Sequence, residues 1–399
     1  MLIKLPTRQH MYLATNSVAA DLTYFVLPLI LGAMVVRHGV SELQGGILAT
    51  IQVMSTALLG CLLFPIAPRI LSKWTLYAGL MLLLVSNLGT IFAHRMSELV
   101  VLRTMAGIGE GIVIVVVSLL IGKDEGVEEG FAVQAFGVGL GSTAVSLIAP
   151  MLIPRLGEDA IFVVLGLLPL LAISMVPRIH FPAAPADASE PDRPAGVAAW
   201  TLLRQPMIAL MLISFFCMVV ASNATFVFFE RTATSLGMSF TQVLYVMTLS
   251  NLSMLLGPVF AHWAGVRFGR LNPLLLSYAA IGSGALLIGY ATSPASLIAG
   301  LMLQGVAVML VKPYMNGLCV AADPSGRFVT LNFGAYALGS GVTPALSALV
   351  LSAGFGFTGL ADFSMALIIL ASIAVIWAIR GSSVDVASEK REKIATDVQ

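Results

Sequence analysis

Residues 98–121 read ELVVLRTMAGIGEGIVIVVVSLLI. Crossing the roughly 30 Å of membrane hydrocarbon takes about 20 residues of helix, so this stretch is long enough to span a bilayer. It is too uniformly apolar for a barrel strand, which alternates apolar and polar residues over about 10 positions. A membrane-spanning helix is therefore expected. Arg103, Gly107 and Glu110 stand at i, i+4 and i+7 and share one face of it. Gly107 and Gly111 leave room on that face for close approach of another helix or a ligand.

Eleven further stretches have the same character, giving expected spans at 10–35, 44–67, 74–93, 98–121, 130–153, 160–177, 206–229, 240–263, 273–292, 294–320, 328–352 and 361–379. The whole chain of 399 residues is 58% apolar and 10% charged, with mean hydropathy +0.96. A soluble domain carries about 25% charged residues, so this chain has too few to cover a water-facing surface. The fold class expected is an all-α membrane protein of twelve transmembrane helices. Net charge is +1, which gives no field for nucleic acid. Cys61, Cys217 and Cys319 lie in apolar stretches without CxxC or Cys/His spacing and read as packing residues. Lys4 and Arg8 precede an apolar run that imitates a signal peptide. That run contains Asp21 and has no small-residue cleavage site, so it reads as a retained first span.

One connection differs from the rest. Residues 178–205 hold Pro182, Pro185, Pro191 and Pro194 among Asp187, Glu190, Asp192 and Arg193, a linker composition. The expected organisation is a six-helix half at 1–177, the linker at 178–205, a second six-helix half at 206–380 and a tail at 381–399. Charge then orients the chain. Of the 21 Lys and Arg, Arg103 and Lys312 lie within spans, and Arg37, Arg95, Arg155 and Arg231 lie on one side. The remainder lie on the side of the N-terminus. The positive-inside rule puts that side, with both termini, in the cytoplasm. The compact loops point to a bacterial inner membrane.

The two halves repeat. An offset of 198 residues maps Arg69 onto Arg267, Gly107 onto Gly305, Gln134 onto Asn332, and Gly141-Ser142 onto Gly339-Ser340. Parallel six-span repeats around a central linker resemble the major facilitator superfamily, and the likeness covers essentially the whole chain. Arg103-Thr104-Met105-Ala106-Gly107-Ile108-Gly109 resembles that superfamily's Arg-x-x-x-Gly-x-Gly motif in span four. Arg267-Phe268-Gly269-Arg270 resembles the basic end of its loop motif between spans eight and nine. The equivalent first-half loop keeps Arg69 and Lys73 but has Pro68 where Asp is usual and Leu71 where Gly is usual. Span five reads Gly141-Ser142-Thr143-Ala144-Val145 and lacks the Gly-Pro motif of drug/proton antiporters. The run Arg103 to Glu110 also resembles span four of the spinster-type facilitators, over that one helix.

Charges inside the spans mark the candidate site. Asp21, Arg103, Glu110 and Lys312 would each cost about 2.5–3.5 kcal/mol at a span centre, so they must be paired, hydrated or neutralised. The resemblance implies that spans one, four, seven and ten line a central cavity. Three of them hold these charges and the fourth holds Asn223. Asp21, Arg103 and Glu110 are the candidates for proton coupling, because burial disfavours the ionised form of a carboxyl. Arg103 has a second reading as Asp21's structural partner, and the whole set has one as ion pairs locking the halves. Lys312 either lines the cavity or snorkels toward the cytoplasm. Asn316 extends its face by one turn. Asn332, Tyr336 and Ser340 form an i, i+4, i+8 stripe on span eleven, readable as helix–helix hydrogen bonding or solute contact. Tyr24 follows Asp21 by three residues. The candidate solute contacts are thus Tyr24, Asn223, Lys312, Asn316, Asn332 and Tyr336. Gly107, Gly109, Arg69, Lys73, Arg267, Gly269 and Arg270 are the candidate conformational motif. Histidine is not expected as a carrier, since His10, His38, His94, His180 and His262 fall at span ends or in loops. Pro28, Pro150, Pro258, Pro313 and Pro344 are expected to bend helices.

The function these observations point to is secondary active transport of a small organic solute, coupled to protons, with sodium as the alternative ion. Export is favoured by Asp21 and the span-four motif and opposed by the missing span-five motif. The alternatives are uptake of an organic anion held by Lys312, and a non-transporting sensor on the same fold. No Walker loop, His-Glu-x-x-His run, serine elbow or metal cluster supports an enzyme, and no cofactor is expected. The expected partners are the solute and membrane lipid, with no obligatory protein partner and a monomeric state.

Overall fold

The computed structural model describes residues 7–124, 126–182 and 203–380, with backbone alone at 27–29, 31, 42–43, 149–150, 240–241 and 244. Most of the expected 178–205 linker and all of the 381–399 tail lie outside the described residues, as do the side chains of Pro28 and Pro150. Among the described residues there is no β-strand.

Spans one to six are formed by Arg8–Asp21 with Thr23–His38, Glu42–Leu63 with a 3-10 turn Phe64–Arg69, Lys73–Ile91, Met96–Ile121, Val127–Leu156 and Asp159–Met175. Spans seven to twelve are Pro206–Phe226 with Phe229–Ser235, Phe240–Ser253 with Leu256–Ala264, Leu271–Gly289, Pro294–Ala322, Arg327–Ser352 and Gly356–Arg380. Among the described residues, ten helical segments are long and apolar enough to cross a membrane. The expected spans one and eight are each interrupted. Span eight breaks at Met254-Leu255 because Pro258 has no N–H to give the Met254 carbonyl. Span one tightens at Leu22, whose carbonyl accepts from both Phe25 and Val26 at 2.9 and 3.2 Å. Spans ten and eleven run unbroken through Pro313 and Pro344. Span twelve starts five residues before its expected position, since Gly354 and Gly356 take φ of +86° and +66° and turn the chain sharply.

Helix packing repeats between the halves. Span one packs on five and six, two on four, and three on four and six. Seven packs on eleven and twelve, eight on ten, and nine on ten and twelve. Across the halves, two meets eleven as five meets eight, and four meets eleven as five meets ten. The 198-residue offset also survives in local detail. Gly39 and Gly237 both take positive φ, and two residues on, Ser41 with Gln44 and Ser239 with Gln242 form capping boxes. A Cβ on Gly107 would lie 2.2 Å from the Gln52 carbonyl oxygen, and one on Gly305 would lie 3.1 Å from that of Ser250. Residues 52 and 250 are themselves equivalent. The interhelical close approach read at Gly107 is thus real and occurs twice.

The face of the bundle that carries residues 7 and 380 is closed between the halves. There Gly326 leaves room for Leu119, and Gly122 lies beside Val320. Arg270 reaches Glu128 at 2.6 Å.

Candidate functional site

Span four carries the first half of the site. Its Gly107 brings the span-two backbone against it, and Gly109 does the same for the Gly79 carbonyl of span three. This close packing places Gln52 beside the fully buried Arg103 and Glu110, each 0% exposed. Gln52 donates from Nε2 to Glu110 Oε1 at 2.6 Å and accepts at Oε1 from Arg103 Nη1 at 3.3 Å. One amide therefore bridges cation and acid. Thr56, one turn further, lies 3.0 Å from Glu110 Oε2 and 3.0 Å from the Gly107 carbonyl. The Thr23 hydroxyl of span one is also beside the carboxyl. Gln52 and Thr56 were not among the residues singled out from sequence, although they form a polar i, i+4 pair in the middle of an apolar span.

Arg103 does not pair with Asp21. Its Nη2 donates to the Ser86 carbonyl at 3.2 Å, to Asn87 at 3.4 Å and to Thr90, all on span three. Its guanidinium lies 5.6 Å from the Phe162 ring of span six. The reading of Arg103 as Asp21's partner is corrected: the span-three carbonyl and side-chain oxygens draw it outward, within its own half.

The second cluster lies where the halves meet. Lys312 of span ten sits 5.2 Å from the Phe25 ring centroid and 4.8 Å from that of Tyr336. An ammonium is attracted to aromatic faces at such distances. The snorkelling alternative is therefore set aside: the side chain turns inward, between spans one and eleven. Tyr24 meets Tyr336 edge-on at 5.5 Å, and Phe215 and Phe333 flank it at 6.0 and 6.3 Å. Lys312 also supplies the positive charge that acts on Asp21. Among the described residues, no ion pair within 4.0 Å involves Asp21, Arg103, Glu110 or Lys312. Asn332 donates to Asn316 at 3.1 Å, and Asn223 donates to Ser340 at 3.3 Å. Two buried oxygens here lack a hydrogen-bond partner in the protein: Asp21 Oδ1 and Asn332 Oδ1. Buried polar atoms are nearly always bonded, so these are places for water or a bound molecule. Asp21, Tyr24, Lys312, Asn316, Asn332 and Tyr336 are thus brought together. Asn223 is engaged with span eleven through Ser340.

The loop-motif residues play unequal parts. Arg270 forms the ion pair with Glu128, an acid at the start of span five that the sequence reading passed over. Gly269 takes φ of +67° and turns the loop that delivers it. Arg267 continues that turn, its N–H bonded to the Ala264 carbonyl. Arg69 ends the 3-10 turn, and Lys73 lies 6.0 Å from the Phe181 ring. His10 stands at a span start as expected but is buried, 3.2 Å from Asp124.

Comparison with known proteins places this arrangement. Solved structures that superpose on 93% of the chain include a human organic anion transporter, MFSD10 (TETRAN), at 17% identity and TM-score 0.71 over 100% of that chain. The proton:xylose symporter XylE aligns at 13% identity and TM-score 0.73, covering 94% of that chain. The E. coli fucose:proton symporter FucP aligns at 14% identity and TM-score 0.72, covering 97% of it. No curated protein matches in sequence. The profile of the Major Facilitator Superfamily matches residues 13–231, more than half of the 399. The chain belongs to the major facilitator superfamily, and it is a membrane transporter, not an enzyme.

Proposed function

We propose that the protein is a proton-coupled transporter of amphipathic organic anions, with Glu110 as the proton carrier and Lys312 as the anion's anchor. The observation that carries the reading is the bonding of Glu110. Thr56 has one hydroxyl proton and three acceptors, Glu110 Oε2 and the Gly107 carbonyl at 3.0 Å and the Gln52 carbonyl at 3.1 Å. When Glu110 is ionised, Thr56 donates to it. When Glu110 is protonated, it donates to Thr56, whose proton turns to a carbonyl. Both charge states are bonded with no ion pair to break, which suits a group that must load and release a proton.

The solute end rests on Lys312, whose ammonium is framed by Phe25 and Tyr336, with Tyr24, Phe215 and Phe333 adding apolar surface. A carboxylate on the ammonium and a ring or alkyl body along the aromatics would use both. The named activities of the neighbours, organic anion transport and proton symport, are compatible with this reading. Export in exchange for protons is the direction the span-four motif favours, with the 7–380 face in the cytoplasm of a bacterial inner membrane.

The test uses purified protein in liposomes with an internal pH dye, challenged with aromatic carboxylates, aliphatic carboxylates, aromatic amines and zwitterionic amino acids. Carboxylates should move protons in wild type, and the sign of the change gives the direction. Glu110→Gln should abolish the movement while retaining counterflow of the same compound. If Glu110→Gln still moves protons with solute, Glu110 is not the carrier. If amines alone elicit a response, the anion assignment fails.

A further inference from the structure

Gln52 lies between a cation and an acid that would otherwise attract each other directly. Seven residues of helix separate Arg103 from Glu110, about 10.5 Å of rise. Flexible side chains of opposite charge can close such a gap. Here they do not. Arg103 is held toward span three by Ser86, Asn87 and Thr90, and the Gln52 amide occupies the space between. The orientation of that amide follows from its neighbours: the cation needs an acceptor, so the oxygen faces Arg103, and the carboxylate needs a donor, so Nε2 faces Glu110. Gln52 is 2% exposed, and its backbone is pinned by Gly107, so the spacer is held in place.

We infer that Gln52 is a positioning residue that sets the proton affinity of Glu110, stabilising its ionised form through one donated hydrogen bond while keeping Arg103 out of direct contact. The inference rests on the reading of Glu110 as proton carrier. Among the described residues, the charged or titratable groups that face Glu110 are Arg103 on its own span and Tyr24 on span one. Spans two and three contribute the neutral Gln52, Thr56, Ser86, Asn87 and Thr90, and Asp21 answers to Lys312. Removing the Gln52 donor leaves Arg103 anchored on span three and leaves the carboxylate with one bond fewer. The ionised form is then disfavoured, so Glu110 holds its proton to higher pH.

Infrared titration of the full-length protein in nanodiscs tests this without any solute. The carbonyl stretch of protonated carboxyls is followed against pH in wild type, Glu110→Gln, Gln52→Leu and Gln52→Met. Glu110→Gln should delete one titrating band, which identifies it. In Gln52→Leu that band's midpoint should rise by about one to two pH units, the worth of one hydrogen bond to a charged group. Gln52→Met keeps the unbranched shape and should show the same rise, and it decides the matter if the leucine variant folds poorly. A band present in wild type, absent in Glu110→Gln and unmoved or lowered in the Gln52 variants overturns the inference and leaves Glu110 standing as carrier. No band lost in Glu110→Gln overturns both.

Discussion

Gly107 offers the sharpest test of how the candidate site is held. Replacing it with alanine adds one carbon 2.2 Å from the Gln52 carbonyl oxygen and 2.8 Å from Ser55 Cβ. Ordinary contact begins at 3.4 Å, so span two would have to retreat by about 1.2 Å, and the obstacle is backbone, which no rotamer change can clear. Overpacking of this kind costs about 1–3 kcal/mol, and a rigid carbonyl puts this site at the upper end. Gly305→Ala is the internal comparison. Its nearest neighbour is the Ser253 hydroxyl oxygen at 2.8 Å, with the equivalent backbone oxygen at 3.1 Å, so the penalty should be about 1 kcal/mol. Gly46→Ala, with nothing within 4 Å, should be stabilising by about 0.5–1 kcal/mol through helix propensity alone. The assay is thermal unfolding of the three variants in detergent, followed by intrinsic fluorescence. The same propensity gain offsets most of the Gly305 penalty, so the expected order of midpoints is Gly46→Ala highest, wild type and Gly305→Ala close together, and Gly107→Ala lowest. A Gly107→Ala protein as stable as wild type would refute the close-approach argument and with it the placement of Gln52.

Lys312→Ala should raise the apparent KM for carboxylate solutes at least tenfold while leaving Tm within a few degrees, and Lys312→Arg should recover part of the loss; unchanged KM would remove Lys312 from the solute site. Charge reversal of the closing pair is expected to open the 7–380 face: Glu128→Arg should increase maleimide labelling of a cysteine placed at Val320, and adding Arg270→Glu should reverse the increase. Labelling that ignores both changes would make the pair incidental. Cysteines placed at Ser189 and Ser235 should label from opposite sides of intact cells, with Ser235 reached from outside; labelling of position 189 from outside would invert the orientation drawn from the lysine and arginine bias.

The parts of the fold legible in the sequence were those written in hydrophobic runs and in period. Twelve stretches, the offset of 198 and the shared face of Arg103, Gly107 and Glu110 all come from composition and spacing. Spacing also gives Lys312 and Asn316 one face of span ten and Asn332 and Tyr336 one face of span eleven, but that the two faces meet is seen only in the structure. What was hidden depended on contacts between helices. The direction of Arg103 is set by acceptors on span three, which no spacing within span four reveals. Gln52 gains meaning only once Gly107 places it between two charges. Glu128 gave no signal in the sequence, because its partner Arg270 lies 142 residues away. The break at Leu22 has no local glycine or proline to announce it, whereas the break at Met254 was signalled by Pro258.

The repeat carries one more consequence. At the positions equivalent to Arg103 and Glu110, the second half has Leu301 and Val308, and where Gln52 bridges the charges, Ser250 bonds to the Leu301 carbonyl at 3.3 Å. The same helix pair, with the same glycine at its crossing, is thus built once with ions and once without. The molecule contains its own neutral reference state. Among the described residues, spans eight and ten meet with no ion pair between them, at the glycine crossing and through hydroxyl-to-carbonyl hydrogen bonds. A structure that places a buried arginine and glutamate in one half where leucine and valine stand in the other has given one half a chemistry the other lacks.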